Sequence, residues 1–243
     1  RSESSPIQAP VDESKLHDLL LKAMESQQNG QLANAAALYT QVLNFHPDQI
    51  DALNMLGIIT YQLGDPEKAS NLLAKALQLM PDNPEIHNNL GIILTGLSNF
   101  KRAIKHFDLA LDLQPEDPEL LNNKGNALRA INAHDDARRC FEEAIILAPN
   151  YGQAHNNLGI ILLESDDPAA AKISFETAIK LTPDDPSAWS NLSAALHDLG
   201  KFDDALAVAE RALMLDKNHA SAINNRGHVL QELNQFAEAE VDF

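Results

Sequence analysis

The chain has 243 residues, a formal net charge of −17 from 35 acidic and 18 basic side chains, and a single cysteine, Cys140. That charge argues against nucleic acid, whose affinity rests on Lys and Arg contacts to phosphate, and equally against an anionic membrane surface. One cysteine forbids an internal disulfide and fits a reducing, cytoplasmic location; no apolar run is long enough to cross a membrane and no signal peptide is visible, although the chain starts at Arg1 rather than Met.

Residues 1–14 are rich in Ser, Pro and acid, lack periodicity, and read as a disordered arm or a remnant foreign to the fold. A single solenoid domain is expected over 15–243. From Leu16 onward, alanine recurs every 34 residues at Ala35, Ala69, Ala103, Ala137, Ala171, Ala205 and Ala239. A small residue keeps the same step at Ala23, Gly57, Gly91, Gly125, Gly159, Ser193 and Gly227, and so does proline at Pro47, Pro81, Pro115, Pro149 and Pro183. A fixed period of this size means stacked supersecondary units. The units run 16–49, 50–83, 84–117, 118–151, 152–185 and 186–219, with a partial seventh over 220–243.

Each unit predicts two amphipathic helices and a turn. In the third, Leu90, Leu94 and Leu97 share one helical face, while Phe100, Ala103, Ile104, Phe107 and Leu111 make a second stripe. The recurrent small residues let the two helices approach closely, so a larger side chain there should overpack the contact. Asn83-Pro84, Asp117-Pro118 and Asp185-Pro186 predict a capping oxygen and a first-turn proline at the starts of first helices. Asp65-Pro66 and Asp167-Pro168 do the same for second helices. Much of the negative charge is thereby explained as capping and solubility.

The first halves of the units read Leu56-Gly57, Leu90-Gly91, Leu158-Gly159, and Trp189 followed by Leu192-Ser193. The second halves read Ala35 to Tyr39, Ala103 to Phe107, Ala137 to Phe141, Ala171 to Phe175 and Ala239 to Phe243. These residues closely resemble the tetratricopeptide repeat pattern, and the resemblance covers nearly the whole chain. It implies an all-α right-handed superhelix of antiparallel helix pairs, with six complete units and a truncated seventh. It further implies a non-enzymatic protein-interaction scaffold that binds extended peptide segments in a concave groove.

Two candidate surfaces follow. Counting from the start of each unit, position 6 carries Asn89, Asn123, Asn157, Asn191 and Asn225; position 5 carries Asn88, Asn122, Asn156 and Asn224, with Asn54 earlier. In tetratricopeptide repeats this stretch lines the concave face, and a carboxamide both donates and accepts, so a row of them could hold a peptide by its main chain. The row resembles the asparagine ladder in the superhelical arm of O-GlcNAc transferases. That family often adds an Asn three residues on; here only Asn126 does, with Ile92, Ile160, Ala194 and His228 elsewhere. The amides could instead bridge neighbouring helices, and both readings stay open. The second surface is an apolar floor in the first two units: Leu20, Leu21, Met24, Met55 and Ile58. It would accept a partner's side chain or the chain's own Ile7 and Val11, or is a peculiarity of a terminal unit.

The clamp with which some tetratricopeptide proteins grip chaperone carboxy-termini needs Lys and Arg at positions 2, 5 and 6. Position 2 here reads His17, Asp51, Glu85, Glu119, Gln153, Ser187 and Ser221, so no clamp can be assembled. Those acids favour a protein or peptide partner with Lys or Arg. No catalytic or metal constellation is apparent and no cofactor is expected. Gly91 and Gly96 have P-loop spacing, but Leu97-Ser98 follows where Lys and Ser/Thr should stand, so helix packing and a helix end explain them better. His87 and His155 share position 4 with Trp189, which points to packing; Cys140 reads as a structural thiol, and Asp135, Asp136, Asp203 and Asp204 as helix-start charges. Phe243 closes a repeat pattern with no polar cap after it, which suggests self-association through that edge or continuation into further repeats or a glycosyltransferase-like catalytic domain.

Overall fold

The structure, a computed structural model, describes residues 13–235 and Ala239. Residues 1–12, with Ile7 and Val11, and the edge at Phe243 lie outside the described residues. All regular structure among the described residues is α-helical. The chain divides into two compact units at Pro115 and Glu116.

The amino-terminal unit contains α1 (Glu13–Gln28), α2 (Leu32–Phe45), α3 (Ile50–Gln62), α4 (Pro66–Leu79), α5 (Pro84–Gly96) and α6 (Phe100–Leu113). The carboxy-terminal unit contains α7 (Pro118–Ala130), α8 (His134–Leu147), α9 (Gly152–Glu164), α10 (Pro168–Leu181), α11 (Pro186–Asp198), α12 (Phe202–Leu215) and α13 (Ala220–Glu232). α1 starts at Glu13, slightly ahead of the boundary expected from the repeat. Within each unit successive helices pack as hairpins, and first helices also touch one another: α3 on α5, and α7 on α9, α9 on α11, α11 on α13.

The period-34 residues do what their sizes allow. Ala35, Ala69, Ala103, Ala137, Ala171, Ala205 and Ala239 are all buried. The recurrent glycine lets an aromatic ring lie on the helix backbone. A Cβ on Gly91 would meet Phe107 Cε1 at 2.5 Å; Gly125 against Phe141 and Gly159 against Phe175 give the same distance. In the sixth repeat the exchange is reversed: Ala209 stands where those rings stand, and Ser193 replaces the glycine. Ser193 Oγ donates to the Ala205 carbonyl at 2.8 Å. With the facing ring gone there is room for a side chain at the glycine position, and the serine uses it to bond the backbone. Gly96 ends α5 against Tyr61, whose Oη lies 2.5 Å from where a Cβ would be, so its role is packing as expected.

The Asn/Asp–Pro punctuation caps helices as the sequence predicts. Asp65 accepts from Lys68 N–H, Asn83 from Ile86, Asp117 from Glu119 and Leu120, Asp167 from Ala170 and Asp185 from Ser187. Each bond satisfies a donor that the first turn leaves open. Gln49 and His219 cap α3 and α13 in the same way, from residue types outside the usual capping set. Inside each hairpin the turn is closed by a residue in the left-handed region, again 34 apart: Gly30, Gly64, Ser98, Asn132, Asp166, Gly200 and Asn234. A non-glycine there costs roughly 1–2 kcal/mol, less for Asn and Asp, and Ser98 carries the least suitable side chain of the set.

Candidate functional site

The asparagine row is a set of rungs between neighbouring first helices. In the amino-terminal unit Asn89 Nδ2 donates to Asn54 Oδ1 at 3.0 Å, and Asn54 Nδ2 donates to Glu85 Oε1 at 2.9 Å. In the carboxy-terminal unit Asn157 donates to Asn122 Oδ1 at 2.8 Å and Asn191 to Asn156 Oδ1 at 3.0 Å. Asn225 finds Ser190 in the asparagine's place and donates to its carbonyl at 2.9 Å and its Oγ at 3.2 Å. In these four rungs position 6 of one repeat donates to position 5 of the repeat before. The bridging role left open by the sequence is therefore occupied by these amides. Asn54, Asn122, Asn156 and Asn157 are buried, whereas Asn88, Asn89, Asn123, Asn126, Asn191 and Asn225 are partly buried and Asn224 is exposed. Partly buried Asn89 and Asn191 each make one such bond through Nδ2, and a carboxamide has a second N–H and a carbonyl oxygen besides.

One rung is incomplete. Asn122 is fully buried, and its Nδ2 has no partner among the described residues. The equivalent Asn54 donates to Glu85, but the residue in Glu85's place here is Gln153, whose Oε1 accepts instead from Tyr151 Oη at 3.4 Å. Tyr151 has its phenol pushed up, first by burial and then by Glu119 and Asp117.

The apolar floor forms a cleft of about 610 Å³ in the amino-terminal unit. It is lined by Leu20 and Met24 of α1 and Met55 of α3, together with Gln27, Gln28, Tyr39 and Asp51. Met24 and its neighbour on the same helix, Leu21, are each 50 % exposed, which is costly for side chains of this size unless something covers them. Ile58, one turn along α3 from Met55, is partly buried. Of the polar members, sequence reasoning named Asp51 as one of the position-2 acids but did not place it beside the apolar floor, and it missed Gln27, Gln28 and Tyr39 as members. Tyr39 holds the place that Phe107, Phe141 and Phe175 hold in later repeats, and its hydroxyl donates to Gln27 Oε1 at 3.3 Å. Burial, and after it the Asp51 carboxylate, pushes the Tyr39 phenol up.

The position-4 rings pack as expected. His87 Nε2, His155 Nε2 and Trp189 Nε1 each meet the carbonyl of the proline six residues earlier, Pro81, Pro149 and Pro183, at 2.8, 2.9 and 2.9 Å. A carbonyl only accepts, so His87 carries its proton on Nε2 and presents Nδ1 as an acceptor. His106 Nδ1–H then donates to it at 2.9 Å. Burial, the His87 ring, Arg102 and Lys105 lower the His106 pKa to about 4. The folded value lies below the unfolded one of 6.5, so the stabilisation is complete above pH 6.5 and is lost as pH falls toward 4. Allowing for partial exposure, we expect the amino-terminal unit to lose about 1–2 kcal/mol between pH 7 and 4.5 through this group. His106→Gln should remove that part of the acid dependence, as read from urea denaturation of both proteins at the two pH values. A parallel loss in both would assign the dependence to other groups.

Cys140 is buried in α8, and no cluster of His, Cys, Asp or Glu suited to a metal ion occurs among the described residues. No described helix is long and apolar enough to cross a membrane.

Family models for the tetratricopeptide repeat match residues 27–90 and 61–126, 118–151, and 161–223. No curated protein matches the chain in sequence. Among solved structures, a tetratricopeptide repeat protein from Parabacteroides merdae superposes with a TM-score of 0.79 at 19 % identity, over 94 % of this chain and 91 % of that one. PilF of Pseudomonas aeruginosa gives a TM-score of 0.70 at 24 % identity, over 79 % of this chain and 88 % of the other. A chain of the APC/C hetero-tetramer Cut9–Hcn1 gives 0.78 at 16 % identity, over 87 % of this chain and 42 % of that chain. At such identities the likeness is one of fold.

Proposed function

The chain belongs to the tetratricopeptide repeat family, a family of protein-interaction scaffolds, and on that premise we propose that its amino-terminal unit holds an extended peptide segment of a partner protein on the first-helix face. The observation that carries this reading is the cleft of Leu20, Met24 and Met55. One repeat later the places of Leu20 and Met55 are taken by Asn54 and Asn89, which are joined to each other; here both are apolar, and half-exposed Met24 extends the apolar surface. One side chain of the peptide enters the cleft. Partly buried Asn89, with one N–H given to Asn54, offers the rest of its carboxamide to the adjacent main chain. The similarity to a chain that works inside a hetero-tetramer is in keeping with such a role.

The test is selection of a randomised nonapeptide library displayed on phage, panned on the full chain and on Met24→Ser/Met55→Ser. Met24 is half exposed, whereas Met55 packs against the core around Ala52 and Leu56, so a thermal melt verifies that the double variant is folded at the panning temperature. We expect the parent chain to enrich a defined pool that the double variant binds at least about tenfold more weakly, since two apolar side chains lose their contact with the anchor. Enrichment of nothing, or of a pool the double variant binds equally, contradicts the reading.

A further inference from the structure

Resting on that peptide-binding reading, we propose that the cleft between α1 and α3 selects an arginine, with its aliphatic stem on Leu20, Met24 and Met55 and its guanidinium on Asp51.

The argument comes from comparing the first rung of the ladder with the next one. In the second rung Asn89 donates to Asn54, and Asn54 donates to Glu85. Shifted back by one repeat, those three positions are Met55, Leu20 and Asp51. Both amides have become apolar, while the acid is kept. Leu20 has no N–H to offer, so the Asp51 carboxylate is not drawn into the stack as Glu85 is. The hydrogen bond it does accept is a weak one of 3.4 Å, from Gln49 Nε2 two residues away. What remains is an apolar channel with the exposed residue Asp51 in its lining, beside Gln27 and Tyr39.

An alkyl stem ending in a cation is complementary to such a channel. A leucine or phenylalanine would fill the floor and bring no donor to the Asp51 carboxylate, whose bond from Gln49 is long. Long basic side chains lay their methylenes on apolar surface and keep the charged head at the polar edge. Arginine fits better than lysine because its fork offers several N–H donors at once, to a carboxylate and a neighbouring carbonyl oxygen, and is less strongly hydrated. The net charge of −17 supports a basic partner at long range.

The same nonapeptide library, panned in parallel on the full chain, on Asp51→Asn and on Asp51→Glu, tests the assignment. Asp51 is exposed in the first turn of α3, and a thermal melt of each variant verifies folding. Arginine should be enriched at one peptide position on the parent chain and on Asp51→Glu, and not on Asp51→Asn. A synthetic peptide of the enriched sequence should bind the parent chain at least about tenfold more tightly than its citrulline counterpart, which keeps the shape and lacks the charge. With Asp51→Asn the two peptides should bind alike. An apolar anchor, or an arginine preference that survives Asp51→Asn, overturns arginine selection and leaves peptide binding standing. Failure of the parent chain to enrich any peptide overturns both.

Discussion

Asn157→Ala is expected to lower the stability of the carboxy-terminal unit by about 2–3 kcal/mol. The substitution removes the donor that meets Asn122 Oδ1 at 2.8 Å. Asn122 is fully buried and its Nδ2 already lacks a partner, so the whole carboxamide would then sit unsatisfied where water cannot reach it. The cost is therefore the lost bond plus the desolvation of the group left behind. Asn224→Ala, at an exposed position, supplies the contrast and should change stability by less than about 0.5 kcal/mol. Urea denaturation of the three proteins measures the difference. Equal stability of Asn157→Ala and the parent would mean that the rungs add nothing to the stack.

The second large effect lies where helices pair. Phe175→Ala should cost about 3–5 kcal/mol, because a fully buried ring leaves a cavity in close-packed surroundings. Gly159→Ser alone should cost about 1–3 kcal/mol by overpacking, since a Cβ there falls 2.5 Å from Phe175 Cε1. Combined, the two substitutions reproduce the Ser193 and Ala209 pair of the sixth repeat, and the serine gains room to bond the backbone as Ser193 does at 2.8 Å. The double variant should therefore be more stable than the sum of the single effects by about 1–2 kcal/mol. Strict additivity in a double-mutant cycle would show that the exchange in the sixth repeat is unrelated to volume.

The helix pairs were legible in the sequence because their causes are local and repeated. A glycine facing an aromatic ring and an Asx–Pro pair at a helix start each carry one residue type to one position. The left-handed turn residue was not read, although its period is the same. Gly, Ser, Asn and Asp all fill it, and a conformation shared by four residue types leaves no single-letter signature. The asparagine row was read as a row, but which atom meets which depends on a rung joining residues 35 apart, and that offset comes from how first helices stack. Leu20 and Met55 of the cleft were legible as departures from the asparagine positions, and Met24 as an apolar neighbour one turn from Leu20. Asp51 was read as one of several position-2 acids but not as a neighbour of that floor. Tyr39 and Gln27 were not read as part of it either, because a Tyr in an aromatic place and a surface Gln each have an ordinary explanation alone.

The central claim is that a partner's peptide seats on Leu20, Met24 and Met55. The four methionines of the chain provide the probe: Met24 and Met55 line the cleft, whereas Met80 and Met214 are exposed and do not. With the methyl groups labelled with carbon-13, the tightest peptide from the library would be titrated into the full chain. The account predicts that the Met24 and Met55 signals shift together and saturate at one affinity while Met80 and Met214 stay in place. Saturable binding that leaves Met24 and Met55 unmoved would contradict it.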